Sequence, residues 1–335
     1  MESNTVSKLA AVVVTYNGAP WLQACLDSLN ASLAPVSTIF VVDNASSDET
    51  VAIARKTENV TVIETGENLG FGRGNNIGMA RALDGGADFV FILNQDAHVA
   101  PDALTKLVAE ARAHPGLGIL CPMQLDETGA SLDPTFMRTY LVANAPEMVN
   151  DAFLGKVANS YPVSAAPAAA WLLSRKFLLT VGGFDPLFFM YSEDDDLCAR
   201  ARHHGFGFAI VPHSRFYHSR GFHGNAAHEP AVRRIRRRTS RIRSQVVREI
   251  KSPGGRFPNN VWHAMIACFF DGLKTSLNYL DWVDGLSHFA AMVQVMTELP
   301  RIARHRNISL RPGSHWLPLI LNADETNASE FSRPI

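Results

Sequence analysis

Apolar runs rich in β-branched residues alternate with amphipathic stretches through the first 125 residues. Residues 9–14, 38–42, 60–63, 89–93 and 118–121 are apolar without alternation, which predicts strands buried on both faces. Between the first two runs, Pro20 opens a stretch in which Leu22, Cys25, Leu26, Leu29 and Leu33 recur at helical spacing, with proline suited to a first turn. Ser46, Ser47 and Asp48 offer a cap for a second helix, and residues 101–114 predict another. Strand and helix in repeated alternation predict an α/β fold: a mostly parallel, Rossmann-like sheet with helices on both faces. Ligands of such sheets bind beyond the carboxyl ends of the strands. The residues just after the runs are polar: Thr15-Tyr16-Asn17, Asp43-Asn44 and Asn94-Gln95-Asp96-Ala97-His98.

From 126 to 162 the pattern weakens to loops and short elements. Residues 168–174 then predict a strand, 182–185 a turn, 194–204 a helix and 208–211 a further strand. The helix carries acids in its first turn and Arg202, His203 and His204 in its last, the polarity a helix dipole favours. After His228 the chain becomes arginine-rich and then helical from 261 to 299, so a boundary is placed at 228: a domain 1–228 and a basic, mostly helical region 229–335.

Composition narrows this picture. Of 335 residues, 47% are hydrophobic and 19% charged, which excludes a largely disordered chain. Thirty-one Lys and Arg against 32 Asp and Glu give a net charge of -1, so nothing global points to nucleic acid, and no nucleic-acid partner is expected. Four scattered cysteines without a C-x-x-C pair argue against a disulfide framework and for reduced thiols in a cytoplasm. The N-terminus lacks the pattern of a secretory signal, and residues 157–174, the longest uncharged run, are broken by prolines and make a poor membrane span.

Five blocks carry more. Val12-Val13-Val14-Thr15-Tyr16-Asn17, Val41-Val42-Asp43-Asn44-Ala45-Ser46-Ser47-Asp48, Asn68-Leu69-Gly70-Phe71-Gly72-Arg73-Gly74-Asn75-Asn76, Leu93-Asn94-Gln95-Asp96 and Gly182-Gly183-Phe184-Asp185 with Glu193-Asp194-Asp195-Asp196-Leu197 occur in that order. Together, over residues 8–222, they resemble a family 2 glycosyltransferase of the GT-A fold, most similar to rhamnosyltransferase-like bacterial members. The resemblance implies nucleotide-sugar binding within 8–125 and an acceptor side within 126–228, and does not reach the last third of the chain.

The resemblance assigns Thr15, Asn17 and Asp43 to the nucleotide, where a carboxylate can accept the imide N–H of uracil or thymine. Asn68, Gly70, Arg73 and Asn75 fall to the donor as well; the glycines Gly70, Gly72 and Gly74 would let backbone approach a diphosphate or ribose, with Arg73 as counter-charge, although such a run is equally a plain turn. Asn94-Gln95-Asp96 stands where the family has an acidic pair around one residue, holding a cation against the diphosphate. With Asn first, one anionic ligand is lost; Asp96 would hold Mg²⁺ or Mn²⁺ with His218, from Tyr217-His218-Ser219, which matches a histidine closing the metal site. His98 is an alternative ligand but reads better as a solvated loop histidine.

The resemblance further implies that Asp194 is the general base and Glu193 orients the acceptor, with inversion at the anomeric carbon. Standing alone, the acidic cluster would only cap its helix. Trp171 could stack on an acceptor pyranose or pack in the core. Seven arginines between 233 and 243, followed by Trp262, Phe269, Phe270, Leu273, Leu277, Leu280 and Trp282, suggest attachment to an anionic membrane surface; packing on the first domain or a homodimer through the C-terminal helices is the alternative. The implied donor is dTDP-L-rhamnose, then a UDP-sugar. The implied acceptor is a bacterial surface or exported glycan, carried on a lipid at the cytoplasmic face. Two rivals are a nucleotidyltransferase, which would want a basic Gly-rich loop in place of Thr15-Tyr16-Asn17-Gly18, and a non-catalytic binder with a decayed site.

Overall fold

The computed structural model describes residues 7–219, 230–279 and 282–319. The boundary placed at 228 and Leu280 lie outside them.

The predicted strands form, all but β8 longer than predicted, and two short ones, β5 and β7, join them: β1 (Leu9–Thr15), β2 (Val36–Asp43), β3 (Val60–Glu64), β4 (Phe89–Asn94), β5 (Ala97–Val99), β6 (Leu117–Asp126), β7 (Tyr161–Pro162), β8 (Ala170–Ser174) and β9 (Gly207–His218). They make one sheet in the order β3-β2-β1-β4-β8-β6-β9-β5, with β7 also on β9. β1, β2, β3 and β4 are parallel, β8 runs antiparallel between β4 and β6, and β9 is parallel to β6. Strand β9 runs on from the predicted 208–211 to His218, where it pairs with the unpredicted β5, Ala97 opposite His218. That extension carries His218 to the sheet edge where β4 ends.

Helices α1 (Ala19–Asn30), α2 (Thr50–Lys56), α3 (Gly70–Asp84) and α4 (Ala103–Ala113) connect the first strands. After β6 come short pieces α5 (Pro134–Phe136), a π-helical turn (Met137–Leu141), α6 (Val142–Asn144) and α7 (Pro146–Phe153), then α8 (Arg175–Val181) and α9 (Glu193–His203). The core has two layers. Val12, Val42, Ile92, Trp171 and Leu173 face α3, α8 and α9, while Val13, Val41 and Phe91 face α1 and α4. Successive side chains of a strand point to opposite faces, so strands covered on both sides show no alternation.

The glycine run is helix, not loop. Gly70 takes φ +81°, Gly74 and Gly78 lie on the face of α3 against the sheet, and Gly72 faces Phe184 of the 182–185 turn. A Cβ at Gly72 would come 2.9 Å from Phe184 Cβ, one at Gly74 2.8 Å from Val14 Cγ1, and one at Gly78 would overlap Val12. Close packing of α3 on β1 accounts for Gly74 and Gly78, and close packing on Phe184 for Gly72.

Helices α10 (Ala231–Lys251), α11 (Phe257–Tyr279) and α12 (Trp282–Ser309) follow. Val246, Val247, Ile250, Cys268, Val295 and Ile302 form a core with Leu187 and Phe188, the residues leading into α9. Among the described residues no helix is long and apolar enough to cross a membrane. All four cysteines are buried and unpaired.

Candidate active site

Three parallel strands deliver their last residues to one edge. Thr15 ends β1, Asp43 ends β2 and Asn94 ends β4, side by side in the sheet order. Thr15 Oγ1 donates to Asp43 Oδ1 (2.8 Å), Ser46 Oγ donates to the same oxygen (2.5 Å) and Ser46 N to Oδ2 (2.9 Å). Asn17 Oδ1 accepts from Ser47 N (2.8 Å), and Asn17 N donates to Ser46 Oγ (2.9 Å). The two loops are thereby knitted into one wall. Asn44 adds the next loop: its Nδ2 donates to Gly70 O (3.1 Å), while Asn68 Oδ1 accepts from Gly70 N (2.9 Å). The Asn75 amide, assigned above to the donor, donates to Phe71 O (3.0 Å) one turn back and is buried. Its neighbour Asn76 holds both backbone groups of Phe184 (2.8 and 2.7 Å) and ties α3 to the Gly182–Asp185 turn. Arg73 is half-buried on α3.

Gln95 clamps the backbone of Tyr16, accepting from its N–H (3.0 Å) and donating to its carbonyl (3.2 Å). Asp96 meets His218, with Oδ1 and Nε2 3.2 Å apart, and Gln124 Nε2 lies 2.8 Å from His218 Nδ1. With the amide donating, Nδ1 is an acceptor and Nε2 carries its proton toward Asp96. Gln124 Oε1 is buried without a partner. Turning the amide over puts that oxygen on Nδ1–H and leaves the Nε2 lone pair beside the Asp96 carboxylate, so the residues fit a divalent cation with one oxygen and one nitrogen. No group of three such side chains occurs among the described residues. His98 stacks on Tyr217 (4.7 Å between centroids, 18° between planes), on the face of the sheet opposite His218.

The second half of the site is the start of α9. Tyr191 (φ 70°) and Ser192 (φ 65°) precede it in left-handed conformations. Asn17 and Ala45, also at this edge, share that sign, so four of the six described non-glycine residues with positive φ surround the candidate site. Each costs on the order of 1–3 kcal/mol and persists only where the surroundings enforce it, a pattern of functional loops. Burial and then the charge of Asp195 raise the Asp194 carboxyl to about 6, although the Ala168 N–H favours its ionised form. Burial and then Asp194 raise Glu193 to about 8, and its buried Oε2 has no partner. Ala168 precedes β8, and Ala169 O accepts from Asn94 N (2.9 Å), so the acidic helix and the β4 terminus share one support.

Trp171 is a core residue. It is fully buried on β8 and stacks on Phe184 (6.2 Å, 14°), so its ring is closed to an acceptor. Residues not singled out above take that side. Tyr140, half-buried in the π-helical turn, has its phenol pushed well above its ordinary range by burial and then by Asp194 and Asp195. Phe189 and Tyr191 are half exposed beside the acids. The apolar run Leu187–Tyr191 directly before the acidic cluster was the available sign of them; Tyr140 had none, because its approach depends on a π-helical turn.

The sheet, with helices on both faces, is that of the GT-A fold. Residues 10–178, half of the chain, match the model of glycosyl transferase family 2, and the chain belongs to that family and is a glycosyltransferase. It is similar to the N-acetylglucosaminyl-diphospho-decaprenol L-rhamnosyltransferase of Mycobacterium tuberculosis (29% identity over 231 residues, 63% of this chain and 75% of that protein). It is also similar to the low-salt glycan biosynthesis hexosyltransferase Agl10 of Haloferax volcanii (24% over 203 residues, 60% and 64%). In fold it resembles the mannosyltransferase PcManGT of Pyrobaculum calidifontis in complex with GDP-Man and Mn²⁺ (TM-score 0.54, 17% identity, 91% of this chain and 84% of that one). It likewise resembles S. aureus TarS 1–349 in complex with UDP-GlcNAc (0.55, 15%, 90% and 88%). The family match ends before Glu193, Asp194 and His218.

Proposed function

We propose that this glycosyltransferase inverts the anomeric carbon while moving a sugar from a pyrimidine nucleotide, dTDP-L-rhamnose ahead of UDP-sugars, to a hydroxyl of a surface or exported glycan. The observation that carries the reading is Asp194 at the start of α9: a carboxylate raised to about 6 is ionised at neutral pH yet basic enough to take a proton. Asp194 accepts the proton of the attacking hydroxyl, and Glu193, protonated near neutrality, is a hydrogen-bond donor that orients the acceptor. Tyr140, Phe189 and Tyr191 line the approach. Across the edge, Asp43 keeps one of a carboxylate's roughly four acceptor sites for a base imide, the others being taken by Thr15 and Ser46. Asp96 and His218 would hold Mg²⁺ or Mn²⁺, which when bound neutralises the charge of the departing diphosphate. The mycobacterial relative's name couples L-rhamnose to a decaprenol-linked acceptor, which supports a rhamnosyl donor and a lipid-linked acceptor at the cytoplasmic membrane face.

Thermal unfolding with dTDP-L-rhamnose, UDP-GlcNAc and GDP-mannose, each with Mn²⁺ or EDTA, tests this reading. A donor at a hundredfold its Kd adds about 2.7 kcal/mol. The largest stabilisation is expected from dTDP-L-rhamnose, only with the cation, and lost in Asp96→Ala. Stabilisation by GDP-mannose alone, or undiminished in EDTA, overturns the pyrimidine or the metal assignment respectively.

A further inference from the structure

Helices α11 and α12 carry an apolar face that nothing among the described residues covers. On α11 the exposed large residues are Trp262, Ile266, Phe269, Phe270, Leu273 and Leu277; on α12 they are Trp282, Leu286, Phe289, Val293 and Met296. Each set recurs at spacings of three and four, one stripe per helix. The opposite sides are already used, by Ala264 and Cys268 on α11 and by Val283, Ala291, Val295 and Ile302 on α12. The two helices touch through Cys268, Gly272 and Ser276 against Gly285 and His288. Those contacts pair later residues of α11 with earlier ones of α12, so the helices run antiparallel. On each helix the stripe lies about 100° from the contact line in the same rotational sense. Antiparallel packing therefore turns both stripes to one side, as a single surface.

We propose that this surface docks the protein onto an anionic lipid bilayer, on which the hairpin lies without crossing. Five of its eleven side chains are aromatic, with Trp262 and Trp282 toward opposite ends, the residues that sit best at a headgroup boundary. A monomer rarely leaves so large a contiguous apolar patch exposed without a binding role. Charge selects the occupant. The acids near the hairpin are neutralised from α10, Asp284 by Arg238 (3.3 Å) and Glu298 by Arg243. On the described residues of the hairpin itself, exposed Lys274 and Arg301 then outnumber exposed Asp271. Anionic headgroups neutralise such a rim, whereas an isologous dimer would set it against itself. Arg238 and Arg243 are spent on internal pairs and Arg241 sits over Tyr191 (5.6 Å), so the apolar hairpin, and not the arginine cluster expected from the sequence, is the principal anchor. The surface is independent of which sugar is transferred.

Co-sedimentation of the full chain with phosphatidylcholine vesicles, alone or mixed with phosphatidylglycerol, tests the proposal beside sedimentation velocity of the free protein. Binding is expected to the mixed vesicles, weaker to phosphatidylcholine alone, with brominated lipids quenching tryptophan emission. The variant Phe270→Gln/Trp282→Gln/Phe289→Gln should retain the wild-type unfolding midpoint, because these rings are exposed, and should bind about tenfold or more weakly. Absence of vesicle binding overturns the proposal, and a dimer abolished by the same three substitutions would then make the face a subunit interface. Vesicle binding unchanged in the variant also overturns it.

Discussion

Glu193 and Asp194 are neighbours in sequence but ionise in different ranges, about 8 and about 6: burial raises both, and Glu193 feels in addition the charge of Asp194. Both carboxyls are raised, so the folded chain holds their protons more tightly than the unfolded chain. Their ionisation therefore costs stability as pH climbs from the ordinary carboxylate range, about 4, through 6 and 8. For the reaction the sign is opposite: the base must be ionised, so kcat/KM should rise with pH through about 6. Asp194→Asn should lower turnover by roughly 10²–10⁴-fold with donor binding retained. Glu193→Gln, which mimics the protonated acid, should keep most activity at neutral pH and leave the limb near 6. A rate profile in which Glu193→Gln loses as much as Asp194→Asn, or in which the limb vanishes from wild type, removes this division of labour. Asp194, Asp96 and His218 were legible in the sequence as candidates, through the motifs that carry the family resemblance. Gln124 was not, since its place beside His218 exists only once β6 and β9 pair, and Trp171 showed only its chemistry, not which side of the sheet it would face.

Secondary elements were most legible where burial on both faces forces continuous apolar runs, as in β1, β2 and β4, and least legible where packing overrides local preference. Helix α3 is the clear case. Glycine is among the poorest helix formers, so a stretch with Gly70, Gly72, Gly74 and Gly78 reads as loop, yet the sheet needs a helix whose backbone can come close to Val12 and Val14. Two magnitudes compete in Gly78→Ala. Helix propensity would gain about 1 kcal/mol, whereas a methyl forced against Val12 costs about 1–3 kcal/mol. Net destabilisation is expected in denaturant unfolding, and Val12→Ala added to Gly78→Ala should recover part of it by making room. A more stable single variant would show that the contact yields. β9 beyond residue 211 escaped notice for a related reason: His213, Arg215 and His218 interrupt its apolar pattern, and pairing with β6 and β5 holds it extended nonetheless.

At the scale of the whole molecule, the change of composition near 228 suggested a boundary there, and α10 and α12 pack against α9, the helix proposed to carry the general base. Lys251, at the end of α10, is fully buried and bonded to Asp185 of the Gly182–Asp185 turn and to Asp196 of α9 (2.8 Å). Arg200 takes the other Asp196 oxygen (2.8 Å) and the carbonyls of Val181 and Gly183, while His305 of α12 reaches Asp185 (2.7 Å). No local sequence pattern announces a lysine that will be desolvated 66 residues from its carboxylate. Burial alone would push Asp185 up, but Lys251 and His305 hold it well below the ordinary carboxylate range, so this contribution to stability is present at neutral pH and is lost as pH falls below about 4. Removing one partner of a buried ion pair costs about 3–5 kcal/mol, and without Lys251 the buried carboxylates of Asp185 and Asp196 keep only His305 and Arg200 respectively. Lys251→Met should therefore destabilise the whole chain by that order in urea unfolding, and Asp185→Asn combined with it should restore part of the loss. It should also lower turnover more than donor affinity, since α9 carries Asp194 while Asp43 and Asp96 stand on the sheet. A loss below about 1 kcal/mol, no recovery in the double variant, or equal effects on donor binding and turnover would separate the C-terminal helices from the catalytic site.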